Sequence, residues 1–173
     1  ALGYSKESGI HYDMVFTKSK YVGRTFIQNS QGERQRLVGM KLNPIRPVVK
    51  DKKIILIDDS IVRGTTITRI ITRLREAGAK EVHLRIAAPA FIDVCYFGTD
   101  IDDKEKLIAY NKSVEEIRKE IGADTLEYLS IESLKTITEK CEVKGLCTGC
   151  FTGKYPIEVP SEIQKDRFEA IKI

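Results

Sequence analysis

Apolar and polar positions along the chain alternate between two periods, and their order predicts an α/β fold. The segment "KKIILI" at 52–57 ends in four uninterrupted apolar residues, as expected of a short parallel strand buried on both faces. After a polar turn, Ile67, Ile70, Ile71 and Leu74 recur at i, i+3, i+4 and i+7, one stripe of a helix. Arg69, Arg73 and Arg75 lie mostly off that stripe, and Gly78 is placed to close the helix as its C′ residue. "EVHLRIAA" at 81–88 then reads as the next strand, completing a βαβ unit with a right-handed crossover. Downstream, "DDKEKLIAY" and "SVEEIRKEIGA" predict two short helices. Asp102 or Asp103 would cap the first, and Ser113 with Glu116 forms a capping box for the second. "TLEYLS" predicts the last strand and "IESLKTITEK" a helix after it; near the start, "YDMVFTK" predicts another strand. "GRTFIQNSQGERQRLVGMKLNPIRP" has no clean period and reads as a long loop, of the kind that in compact domains is functional or disordered. The polar tail after Cys150 is expected to end in a short surface helix.

Composition narrows this picture without changing it. With 173 residues, 42% apolar and 31% charged, the chain can build one sizeable core and reads as a soluble globular protein. Its apolar runs are far shorter than the roughly 20 residues needed to cross a bilayer. No secretory leader is expected at "ALGYSKESG", a start without methionine. The net charge of +4 is modest but unevenly placed: from Lys18 to Lys53 there are ten Lys or Arg against two acids, Glu33 and Asp51. Such a segment suits a polyanion, either a phosphorylated metabolite or a nucleic acid, or is a solvated basic face. Of the four cysteines, Cys95 stands alone and Cys141, Cys147 and Cys150 cluster in "CEVKGLCTGC", which favours metal or redox chemistry over a disulfide framework.

The sharpest chemistry lies in "IILIDDSIVRGTT" at 54–66. Asp58 and Asp59 fall at the carboxyl end of the predicted strand, where open α/β sheets bind ligands. The following turn and helix start would offer unsatisfied N–H groups and the positive helix end to an anion. Gly64 allows close backbone approach to a phosphate, and Ser60, Thr65 and Thr66 add hydroxyl donors. Carboxylates repel phosphate, so their place beside it implies that they hold hydroxyls, a cation or both. A 5-phosphorylated ribose meets both demands. The plain alternative is that Asp59 or Ser60 caps the helix while Asp58 is a solvated loop acid.

These residues resemble the ribose-phosphate fingerprint of type I phosphoribosyltransferases, which bind 5-phosphoribosyl 1-diphosphate (PRPP). With "YVGRTFIQ" at 21–28, "KLNPIR" at 41–46, "CYFGTDI", "LIA", "SVEEIRKEIGADTLEYLS" and "CFTGKYP", the pattern is similar to the glutamine amidophosphoribosyltransferases over nearly the whole chain. The resemblance implies a Rossmann-like parallel sheet flanked by helices. It implies a partial transferase domain at 1–139, with a mobile loop at about 21–44, and a cysteine-containing segment and tail at 140–173. The implied reaction forms 5-phosphoribosylamine from PRPP and glutamine-derived ammonia, the first step of de novo purine synthesis.

Residue by residue, the resemblance gives Asp58 and Asp59 to the ribose hydroxyls and to Mg²⁺. It gives Ser60, Val62, Arg63, Gly64, Thr65 and Thr66 to the 5-phosphate loop. Lys18, Tyr21 and Arg24 become candidates for catalysis and loop closure, and Lys41 for diphosphate contact. Cys95, Cys147 and Cys150 match ligands of the [4Fe–4S] cluster that some members carry, with a fourth ligand expected from an earlier segment; zinc and free thiols stay open as alternatives. Cys141 is either a substitute ligand or a free thiol. The resemblance places "ALGYSKESGI" as the helix after a first strand and diphosphate loop that are expected to precede Ala1, and ammonia is expected from a glutaminase domain outside this chain. Activity of the chain alone is therefore expected to be incomplete. A cytoplasmic homotetramer with purine nucleotide effectors, and without membrane or nucleic-acid partners, is also implied. Two other readings stay open: a base-salvage phosphoribosyltransferase, and a non-catalytic nucleotide- or RNA-binding regulator. Aromatic residues for stacking in the basic segment are limited to Tyr21 and Phe26.

Overall fold

The computed structural model describes residues 1–18, 42–99, 101, 103–141 and 145–159. Its centre is a parallel three-stranded sheet ordered β3 (Lys53–Asp58), β4 (Glu81–Ile86), β5 (Thr125–Tyr128). A separate antiparallel pair joins β1 (Phe16–Lys18) to β2 (Leu42–Pro44), with Thr17 opposite Asn43. Helices α1 (Leu2–Ser8), α2 (Arg46–Val49), α3 (Thr65–Glu76), α4 (Val114–Ile121), α5 (Ile131–Lys140) and α6 (Gly149–Thr152) complete the described elements. None of these helices is long and apolar enough to cross a membrane.

The βαβ unit forms where the periodicity places it. Ile67, Ile71 and Leu74 of α3 are buried against Ile54 of β3 and Val82, Leu84 and Ile86 of β4. Strand β4 alternates strictly, its even positions buried and Glu81, His83 and Arg85 half-exposed on the opposite face. That face is tied laterally by polar side chains. Lys53 pairs with Glu81 at 2.7 Å, His83 lies 3.0 Å from both Glu81 and Thr125, and Arg85 donates to Thr125 at 2.9 Å. The expectation that β3 is buried on both faces therefore holds only in part: Ile54 is buried, but Ile55 and Ile57 are half-exposed beside this polar face.

Three other elements differ from the sequence reading. "DDKEKLIAY" forms no helix; a 3₁₀ turn at Lys104–Lys106, capped by Asp103 accepting from the Glu105 N–H, passes into extended backbone at Leu107. The reason lies in Leu107, Ile108 and Ala109, three consecutive buried residues that no single helical stripe could bury. The end of the long loop is structured: Leu42–Pro44 pair with β1, and Pro47 opens α2, where its missing N–H costs nothing. A short helix, α6, begins within the cysteine motif. The capping box of α4 is formed as read, with Ser113 and Glu116 each bonding the other's backbone. Residues 19–41, most of the proposed mobile loop, and the tail from 160 onwards lie outside the described residues.

At the amino end of the sheet, Asp124 accepts from the Val82 N–H and from Arg75, each at 2.5 Å. Burial opposes ionisation of Asp124, but the Val82 N–H and the Arg75 charge outweigh it and hold the carboxyl below its ordinary range. A depressed carboxylate pKa stabilises the fold above the unfolded-state value and is lost as pH falls through the folded one. Asp124→Ala is expected to lower stability by about 1–3 kcal/mol by orphaning the Val82 N–H. Urea titrations should show the gap from the parent protein closing in acid, and a gap independent of pH would refute this account.

Candidate functional site

The carboxyl ends of the three parallel strands lie level, with Asp58 in register with Ile86 and Ile86 with Tyr128. Asp58 is the last residue of β3, its backbone carbonyl accepting from the Ala87 N–H at 3.0 Å. One oxygen of the Asp58 carboxylate accepts from the Asp59 N–H at 3.0 Å, and one of Asp59 accepts the Ser60 hydroxyl at 2.7 Å. Among the described residues no hydrogen bond is made by the second oxygen of either carboxylate. Burial pushes the Asp58 carboxyl above its ordinary range; the Asp59 N–H opposes the shift and the Asp59 charge adds to it. Two adjacent acids, one partly desolvated, make a site that favours a cation or hydroxyl donors.

The turn that follows is held from below. Ile61 is 3% exposed, Val62 packs in a second, smaller core, and Gly64 caps α3 in the left-handed region at φ 77°, ψ −21°. Gly64 has no side chain to cap the helix, and no acid stands in the first turn. The positive helix end therefore faces the turn beside the exposed Thr65 and Thr66. Thr68 instead turns inward, its hydroxyl donating to the Gly64 carbonyl at 2.9 Å. Arg63 is exposed on the same turn, near enough to Asp103 to lower that carboxyl's pKa, although Asp103 is held mainly by the Glu105 N–H and Lys106. The start of α3, the exposed Thr65 and Thr66 and, a few residues before them, Asp58 and Asp59 thus put anion-favouring amides and hydroxyls next to a pair of acids.

The structure brings together Asp58, Asp59, Ser60, Val62, Arg63, Gly64, Thr65 and Thr66 as the sequence groups them. Val62 has a different role from the others: its side chain faces the second core and its carbonyl accepts the Ile108 N–H at 2.9 Å. Of Lys18 only the backbone is described, at the end of β1, while Tyr21, Arg24 and Lys41 lie outside the described residues. Two features of this end of the sheet escaped the sequence reading. Ile108 packs beneath Gly64, and its only signal is the apolar triplet Leu107-Ile108-Ala109 after a charged run. Tyr128 has a buried hydroxyl without a hydrogen-bond partner among the described residues, and burial pushes its phenol up to about 12.

The cysteines sit behind the turn rather than in it. Cys95 and Cys150 join the second core, with Phe91, Ile101, Leu107 and Phe151, whereas Cys141 and Cys147 are exposed. The Ile92 and Asp93 N–H groups both donate to the Cys150 carbonyl, and Tyr155 donates to the Val94 carbonyl at 2.7 Å, binding this segment to the loop after β4. Gly149 is required there, because a Cβ would enter the Tyr155 ring. Burial raises the Cys95 thiol, yet the N–H groups of Gly98, Phe97 and Thr99 bring it down to about 7. Cys150 is pushed up to about 11 by burial and by the neighbouring Cys95. Thiols suit an iron–sulfur cluster chemically, but among the described residues no three potential ligands stand close enough to hold a metal. Cys95 and Cys147 both lie near enough to Cys150 to raise its pKa.

Comparison with known proteins agrees with this geometry. A family model for the phosphoribosyl transferase domain matches residues 10–125. The amidophosphoribosyltransferase of Bacillus subtilis (strain 168) is 53% identical over 162 residues, covering 92% of this chain and 34% of the relative. That of Methanocaldococcus jannaschii is also 53% identical over 162 residues, covering 94% of this chain and 34% of the relative. The solved structure of glutamine phosphoribosylpyrophosphate (PRPP) amidotransferase from B. subtilis, complexed with ADP and GMP, superposes with a TM-score of 0.79 at 52% identity. It covers 94% of this chain and 36% of that one. The chain spans about a third of the length of the curated relatives it matches.

Proposed function

The chain belongs to the phosphoribosyl transferase domain family, and from that premise we propose that it is the transferase part of an enzyme making 5-phosphoribosylamine from PRPP and glutamine-derived ammonia. The observation that carries this reading is the pairing of Asp58 and Asp59, each with one oxygen engaged by the turn, with the glycine-capped start of α3. Acids take the ribose hydroxyls, and the turn takes the 5-phosphate. Mg²⁺ fits the same place: it keeps several waters and binds through one or two carboxylates plus phosphate oxygens. When bound it would neutralise the departing diphosphate.

In the transfer, the ammonia lone pair forms the new bond to the anomeric carbon as the carbon–oxygen bond to diphosphate breaks. Diphosphate leaves with that electron pair, and the ammonium product loses a proton. The ribosyl carbon is electron-poor midway, so cations on the leaving group and exclusion of water lower the barrier. Lys18, Tyr21, Arg24 and Lys41 are the proposed contributors to diphosphate neutralisation and closure. Purine nucleotides are proposed effectors, in keeping with the ADP and GMP bound by the B. subtilis structure. An iron–sulfur cluster on Cys95, Cys147 and Cys150 would need a fourth ligand from outside these three, and it would take no part in this transfer.

Calorimetric titration of PRPP into the chain, with and without Mg²⁺, tests the assignment. Binding is expected to weaken at least tenfold without the metal. Asp59→Asn, which removes a charged acceptor, is expected to lose about 1.5–3 kcal/mol of PRPP affinity, ten- to a hundredfold. Salt-sensitive RNA binding with no response to PRPP would overturn the proposal in favour of a regulatory module.

A further inference from the structure

The motif "LIA" at 107–109 has no place in the chemistry above, yet it lies against the turn that carries that chemistry. Ile108 is 5% exposed, and its N–H donates to the Val62 carbonyl at 2.9 Å, in the middle of the turn. Its side chain ends at Gly64: a Cβ built on Gly64 would fall on Ile108 Cδ1, well inside van der Waals contact. Gly64 is also where the backbone enters the left-handed region and α3 begins. One residue therefore holds the turn at two points two residues apart, by a hydrogen bond and by a methyl group.

The support behind Ile108 is double. Ile108 and Ala109 belong to the main core with α3 and β4, while Leu107 belongs to the second core with Phe91, Val62 and Phe151. The segment bridges two cores and is fixed from both, so it has little freedom to follow the turn if the turn shifts. Turns offering backbone N–H groups to an anion gain from being preorganised, because a misaimed amide must be realigned at the expense of affinity.

We propose that Ile108 is a positioning residue for the phosphate-binding turn, holding the Val62–Gly64 backbone so that the α3 amides converge on the phosphate of the ligand. This inference rests on the ribose-phosphate assignment of the turn. Ile108 acts on this account through its contacts with Val62 and Gly64, so its truncation is expected to act on affinity for the phosphate group.

The test uses ribose 5-phosphate and inorganic phosphate as probes, titrated into the chain and followed by calorimetry and by the Gly64 amide resonance. Ile108→Val deletes only Cδ1, the atom over Gly64, and Ile117→Val deletes the same group from α4, which contributes nothing to the turn. Ile108→Val is expected to weaken both probes threefold to tenfold and to shift the Gly64 amide, with Ile108→Leu, which keeps a terminal methyl, recovering most of the affinity. Ile117→Val is expected to stay within twofold of the parent although it loses comparable thermal stability. If Ile108→Val binds both probes as the parent does, the inference is overturned while the ribose-phosphate assignment stands. If the parent chain itself binds neither probe, the assignment fails and this inference falls with it.

Discussion

Asp58→Asn is expected to raise the thermal midpoint of the chain at neutral pH while abolishing magnesium-dependent PRPP binding to within the detection limit, a loss of a hundredfold or more. Both effects come from one cause. Asp58 ends β3 partly desolvated, beside a second carboxylate, and its pKa is raised chiefly by that burial. An acid whose folded-state pKa lies above its unfolded value makes the folded protein bind protons more readily than the unfolded one. Its ionisation therefore opposes folding once pH exceeds the folded pKa, and the penalty disappears below the unfolded value. An amide removes it. The stabilisation by Asp58→Asn should thus be present at pH 7, shrink as pH falls through the raised pKa, and vanish in strong acid. The same substitution deletes the charge that a divalent cation needs, and the retained Asp59 offers only one further charged oxygen pair. Stability and binding moving in opposite directions is the signature of an acid retained for a ligand. A variant that loses both stability and binding would mean instead that Asp58 is structural, through its bond to the Asp59 N–H.

The βαβ unit and the grouping of the candidate site residues on it were legible because each of their signals is local. The stripe Ile67, Ile71, Leu74 and the strand before it predict helix and sheet from period alone, and the acids lie where such a unit places its ligands. The capping box at Ser113 is a four-residue pattern with its own mechanism. What was not legible depends on contacts distant in sequence. "DDKEKLIAY" has a charged start and an apolar end that suit a helix, but three consecutive residues are drawn into two different cores and the helix gives way. The polar face of the sheet was hidden for a similar reason. "IILI" carries no sign of lying beside Glu81 and His83, because register between strands is not written in either one alone. The packing of Val62 was not legible because the residues it packs with, such as Leu107 and Phe151 of the second core, lie far along the chain.

Gly64→Ala is the substitution with the largest combined cost, and its energetics separate the turn's two requirements. At φ 77° an L-residue pays about 1–2 kcal/mol for the left-handed backbone. The added methyl also falls on Ile108 Cδ1, in a site where Ile108 is 5% exposed and cannot swing away freely, an overpacking of about 1–3 kcal/mol. Together these predict a loss of about 2–5 kcal/mol in urea unfolding, with phosphate affinity reduced at least tenfold as the turn and Ile108 separate. Neither term alone requires the other, so a double-mutant cycle divides them. Ile108→Val removes the colliding methyl and should return most of the overpacking cost to the Gly64→Ala protein, leaving the backbone strain. The double variant is then expected to be less destabilised than the sum of the singles by about 1–2 kcal/mol. Additive losses would mean that the new methyl finds room elsewhere and that glycine is needed at 64 for its backbone alone. Strong coupling would mean that the turn's conformation and the apolar ledge beneath it are one structural unit.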